Sequence, residues 1–144
     1  MLFEDEMLAV LPPLHPLAKN NEVSLCELCS DPFIMLKEGS YSIALNAFHE
    51  AGLSLNITDM IHDDYTIISM VKQNIGISMI YHRVLEGIGG GVIVKPISEH
   101  PSRRIALAWR SLDTMPKAAR TFAEFIERYI KKAASAENAG RIQP

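Results

Sequence analysis

Residues 75–80 read IGISMI, apolar on both faces apart from Ser78. A strand with one wet face alternates apolar and polar side chains. A run that is apolar on both faces has to be buried on both, as a parallel strand between layers of helices is. The residues before it fit that requirement. Ile67, Ile68, Val71 and Ile75 recur at helical spacing, and Asn74, which tolerates left-handed backbone, stands where the helix should stop. An amphipathic helix delivering a doubly buried strand is part of a βαβ unit, so the predicted class is α/β.

The alternation extends along the chain. Residues 8–11 form a first apolar run, halted by Pro12 and Pro13. SLCELC, residues 24–29, reads as a short helix capped by Ser24, with Glu27 three residues on completing a capping box. A strand is expected over 32–36. A helix follows over about 41–51, carrying Ile43, Ala44, Ala47, Phe48 and Ala51 on one face and ended by Gly52. A third strand is expected over 55–61, then a helix whose cap is Asp63 or Asp64. One or two helical turns over 81–86, a glycine loop over 87–91 and short strands over 92–94 and 105–109 come next. The last helix runs from Pro116 to about residue 134, with Ala119, Phe122, Ala123, Ile126, Tyr129, Ile130 and Ala133 in one stripe. The crossovers should be right-handed.

A chain of 144 residues fits one domain, or a lobe with a fragment of another. At 48% hydrophobic residues it can bury a core, and its net charge of −3 comes without a basic stripe. This chain alone is therefore not expected to grip nucleic acid. No apolar run approaches the roughly 20 residues of a membrane span. The residues after Met1 are acidic where a signal peptide is basic. Two cysteines make no disulfide framework, and the expected location is cytoplasmic.

Four short motifs invite chemistry. Cys26 and Cys29 form a lone C-x-x-C after a polar stretch, which favours helix-packing thiols over redox or zinc chemistry. GIGGG lacks the Lys-Ser/Thr of a phosphate-binding loop and reads as a turn. His62-Asp63-Asp64 offers metal-ligating types, yet adjacent helix residues do not face one way. A strand ending at His62 would instead place it at the sheet's carboxyl edge, where α/β proteins bind ligands. KEGSY, residues 37–41, also follows a buried strand and opens a helix, whose first N–H groups favour an anion. Two successive polar strand-to-helix turns make that edge the candidate site. No serine elbow, useful carboxylate pair or kinase motif is present, so no catalytic residue, cofactor or metal is expected.

The order DEMLAVLPPLHPLA, VSLCELCSDPFIMLKEGS, HDDYTIISMVKQNIGISMI and LAWR before a closing helix closely resembles the effector-binding domain of LysR-type transcriptional regulators. The match covers about 125 residues, and its strength lies in the order of motifs that are weak singly. The resemblance implies a type 2 periplasmic-binding-protein-like fold: Rossmann-like lobes joined by two crossover strands, with an effector in the cleft. On that reading residues 1–12 are the first crossover strand and 13–102 the second lobe. Residues 103–134 are the return strand and closing helix of a first lobe that is largely missing, and 135–144 a flexible tail. The prolines after Leu11 mark the exit into the second lobe.

The resemblance also implies effector contacts at Lys37, Glu38, Gly39, Ser40, Tyr41, His62, Asp63 and Tyr81. Asn74 replaces a usual glycine and Tyr81 a frequent proline. A small carboxylate or other anion is the expected effector. A homodimer or higher homo-oligomer is expected, with DNA contacted only through a helix-turn-helix absent from this chain, and no membrane partner. Two alternatives stay open: a solute-binding lobe unrelated to DNA, and a small metal-dependent enzyme using His62, Asp63 and Asp64.

Overall fold

The structure is a computed structural model that describes residues 1–39, 41–88, 90–111 and 113–140, with backbone alone over 134–140. It divides into two compact units: residues 5–103, and residues 1–4 with 104–144.

The larger unit is built on β1 (Phe3–Leu11), β2 (Phe33–Leu36), β3 (Ile57–Ile61), β4 (Ser78–Tyr81) and β5 (Ile93–Lys95). Strands β2 and β3 pair in parallel, with Leu36 opposite Ile61. Strand β1 pairs antiparallel with β4, Met7 opposite Tyr81, and with β5, Val10 opposite Val94. A parallel bridge between Phe33 and Ile77 joins the two ladders, through Ile34 N–H to the Ile77 carbonyl and Ile77 N–H to the Pro32 carbonyl. The strand order is thus β3-β2-β4-β1-β5. Ser78, the polar exception in IGISMI, is fully buried and donates to the Ile34 carbonyl at 2.7 Å, so it stitches β4 to β2.

Side-chain alternation sorts the core onto the two faces. Met7, Ala9, Leu11, Phe33, Met35 and Met79 pack with α1 (Leu25–Leu28) and α2 (Ile43–Glu50). Val10, Ile34 and Ile80 pack with Ile67, Ile68 and Val71 of α3 (Asp64–Lys72). Both faces are covered, as the doubly apolar run required. The capping box at Ser24 and Glu27 is present. Asn74 adopts φ +58°, and Gly52 φ +68°, each just past a helix. Gly76 is needed for a different reason: a Cβ there would lie 2.6 Å from the Pro32 carbonyl oxygen.

Several boundaries move. β1 begins at Phe3, five residues before the apolar run, and α2 and β3 each start two residues late. Tyr81 ends β4, and the following turn, α4, spans His82–Leu85. The return strand is β6 (Ser102–Ile105), and residues 106–109 of the predicted strand have no regular structure. β6 pairs with β1, and the bonds Leu2 to Ile105 and Met7 to Pro101 run in opposite order, so the pair is antiparallel.

In the smaller unit, α5 (Lys117–Gly140) continues past the expected end at 134. Its Phe122, Phe125 and Tyr129 are more than half exposed, with Phe125 stacked on Tyr129. No described helix is long and apolar enough to cross a membrane.

Candidate functional site

β2, β3 and β4 are parallel, so their carboxyl ends share one edge of the sheet. From β2 the chain leaves toward β3 at the sheet's margin. From β4 it leaves the other way, past β1 to β5. Adjacent strands whose connections part in opposite directions leave a crevice at their carboxyl ends, where ligands of α/β proteins bind.

The turns after these strands carry the predicted residues. Lys37 N–H donates to the Ile61 carbonyl at 2.7 Å, so residue 37 lies beside the end of β3 and therefore beside His62. Glu38 and Tyr81, at the end of β4, interact: the Glu38 carboxylate is among the groups that raise the Tyr81 phenol's pKa. Tyr81 is buried, and that burial, reinforced by the Glu38 carboxylate, pushes its phenol well above the ordinary range. Lys37, Glu38, Gly39, His62, Asp63 and Tyr81 thus belong to one edge. Ser40 lies outside the described residues.

Tyr41 is placed differently. It is 66% exposed and lines a second concavity of about 460 Å³, with Asn46 and Glu50 of α2 and with Glu99 and His100. Asp63 is at the edge but acts as the N-cap of α3, accepting from the Thr66 N–H and hydroxyl, each at 2.7 Å. Those two bonds hold its carboxyl below the usual range. One carboxylate committed as a cap is a poor metal ligand, and among the described residues no three His, Cys, Asp or Glu groups are placed to hold an ion.

Sequence reasoning passed over two residues of this edge and gave a third, Asp64, other roles. The Arg103 guanidinium, on β6, lies 3.4 Å from the Tyr81 ring centroid. It donates to one Asp5 oxygen through Nε at 3.2 Å and Nη2 at 2.9 Å. Asp5, 2% exposed, also accepts from the Arg83 N–H at 3.2 Å, so the buried carboxylate has donors on both oxygens. The signal for Asp5 was strand alternation: it shares a face with Met7, Ala9 and Leu11 once β1 is extended back to Phe3. Nothing near Arg103 announces its partner, 98 residues away. Asp64 was read as an alternative cap and as a ligand in the metal-enzyme alternative, not as an effector contact. Its Oδ1 is buried with no hydrogen-bond partner among the described residues. Burial raises its pKa, the Asp63 and Glu38 carboxylates raise it further, and Arg103 acts in the opposite direction.

The chain matches the LysR substrate binding domain family over residues 1–131. It is 28% identical over 125 residues to the uncharacterized HTH-type transcriptional regulator YvbU of Bacillus subtilis, covering 85% of this chain and 43% of that one. The crystal structure of HinK, a LysR family transcriptional regulator from Pseudomonas aeruginosa, superposes with TM-score 0.76 at 28% identity, over 89% of this chain and 46% of that one. The effector binding domain of QuiR in complex with shikimate superposes with TM-score 0.77 at 25% identity, over 91% of this chain and 64% of that one. The chain spans less than half the length of the regulators it matches in sequence.

Proposed function

The chain belongs to the LysR substrate-binding domain family, and from that premise we propose that it is the effector-sensing part of a transcriptional regulator. The effector is a small molecule held at the carboxyl edge of β2, β3 and β4. The observation that carries the reading is the buried Tyr81 ring at the end of β4, with the Arg103 guanidinium 3.4 Å from its centroid and Lys37 beside the end of β3. The polar groups converge where this sheet topology leaves room for a ligand. The complex of QuiR with shikimate supports a small polar effector.

An anionic end of the effector is best served by the start of α2. Its first turn holds no acidic residue, and Ser42 already satisfies the Leu45 N–H. The start of α3 is less suited, because Asp63 and Asp64 occupy it. The protein works by binding rather than catalysis, in the cytoplasm, as a homo-oligomer. It reaches DNA through a segment of the regulator outside this chain. Effector binding must favour one arrangement of that assembly over another, since equal affinity for both shifts nothing.

The test uses the whole regulator encoded by the gene, in a reporter assay and a band-shift on its own promoter. Glu38→Ala and Tyr81→Phe should abolish the response to inducing conditions while leaving promoter affinity unchanged. A response unchanged in both variants would remove this edge from sensing. A regulator-length product with no promoter binding would favour the solute-binding alternative.

A further inference from the structure

The two cysteines are not both packing thiols. Leu25 and Leu28 are the buried residues of α1, while Cys26 is exposed and Cys29 half-buried. The pair shares one turn. Cys29 N–H donates to the Cys26 carbonyl at 3.3 Å, and Cys29 keeps helical dihedrals of φ −66° and ψ −28°. A bond from residue i+3 back to residue i turns the two side chains toward eclipse. The Cys29 thiol itself donates to the Leu25 carbonyl at 3.4 Å, and a thiol is a weak donor. Side chains three apart on a helix have Cβ atoms about 5–6 Å apart, whereas a relaxed disulfide wants about 3.5–4.5 Å. Joining the two sulfurs therefore tightens the turn, and a disulfide made under strain is readily reduced. Burial, and then Cys26, raise the Cys29 thiol above the ordinary range, so the exposed Cys26 is the sulfur that attacks first.

The turn is tied to the rest of the larger unit. Leu25 N–H is held by both Glu99 carboxylate oxygens, at 3.2 and 3.1 Å. Just before it, Val23 forms a parallel bridge with Ile97, and Ser98 N–H donates to the Val23 carbonyl at 2.9 Å. Leu25, Glu99 and His100 line the second concavity. We propose that Cys26 and Cys29 form a reversible disulfide, a redox switch that acts on residues 97–100 and the second concavity rather than on the carboxyl edge of the sheet. The oxidant is a low-molecular-weight disulfide of the glutathione kind. The Cys26 thiolate attacks one of its sulfurs, and the first small thiolate leaves. Cys29 gives its proton to solvent and attacks the Cys26 sulfur, and the second small thiolate leaves. One small disulfide and two protein thiols thus become one protein disulfide and two small thiols, and an excess of the small thiol runs the exchange backwards.

The test incubates the reduced 144-residue chain with oxidised glutathione. Intact mass should show the loss of two hydrogens and no glutathione adduct, and both thiols should then resist iodoacetamide. Excess reduced glutathione should restore them. Cys29→Ser should halt as a glutathione adduct on Cys26, and Cys26→Ser should react about tenfold more slowly than Cys29→Ser. On oxidation the amide resonances of residues 97–100 should move together with those of 24–29, while those of 37–39 and 62–64 stay in place. A lasting adduct on the unaltered chain, thiols that stay free, or chains cross-linked on a non-reducing gel would overturn the pair. A disulfide that survives excess reduced glutathione would overturn its reversibility, and amide shifts confined to 24–29 would overturn the switch.

Discussion

Asp5 can remain a carboxylate out of water because Arg103 meets one oxygen with two N–H groups and the Arg83 N–H meets the other. Removing the arginine should therefore hurt more than removing the acid. Arg103→Met strands a charge whose side chain is 1% exposed, at a cost of about 3 kcal/mol. Asp5→Asn leaves an arginine that is already one-third exposed and should cost clearly less. Urea unfolding of both variants checks the order, and equal losses would mean the pair is not the anchor described. Gly76→Ala tests packing alone. A methyl 2.6 Å from the Pro32 carbonyl oxygen has to push β4 off β2, with a loss of about 1–3 kcal/mol in the same assay. At the surface, His100 bonds Glu6 at 2.6 Å, and that carboxylate raises the imidazole above its ordinary 6.5. The folded state then binds the proton more tightly than the unfolded one. The stabilisation is complete below pH 6.5 and is lost as pH rises through the folded value. An NMR titration of His100 should shift downward in pH in the Glu6→Gln variant; an unmoved midpoint would show the pair does not form. None of these partners was legible, because each joins residues far apart in the chain. Asp5 was hidden only by a strand boundary drawn too late.

The elements were far more legible, and the reason is that their signals are local. The capping box at Ser24 and Glu27 is a four-residue pattern, and it forms as read. Ser24→Ala should cost about 1 kcal/mol, measured by thermal unfolding, since the hydroxyl accepts the Glu27 N–H. The loss should be no greater than that, because Glu99 still holds the Leu25 N–H from the other side. The doubly apolar run found its helices on both faces for the same local reason. Strand β6 shows where local reading stops. The apolar residues 105–109 looked like the strand, but residues 102–105 form it. They do so through β1, the Asp5–Arg103 pair and the Leu2–Ile105 bond, none visible in IALAW. Trp109 is left 45% exposed in its unit.

Across the whole molecule, the exposed aromatic stripe of α5 has a consequence in solution. Phe122, Phe125 and Tyr129 present apolar surface worth about 25 cal/mol per Å² when covered. The isolated chain should self-associate with rising concentration, and Phe125→Glu should reverse this in light scattering. A monodisperse monomer of the unaltered chain at high concentration would contradict it. The sequence conveyed the class and the family because ordered motifs along a chain encode a topology. It conveyed the edge only in outline: Lys37, Glu38, His62 and Tyr81 were named as contacts, Asp64 only as a possible cap or metal ligand, and the arginine stacked on Tyr81 not at all. The central claim is that small molecules dock at the carboxyl ends of β2, β3 and β4. The most direct measurement is an amide chemical-shift map of this chain against pooled metabolites. The account predicts perturbed amides clustered at residues 37–39, 62–64 and 81–83. Perturbations centred instead on Asn46, Glu50 and residues 99–102, around the second concavity, would contradict it.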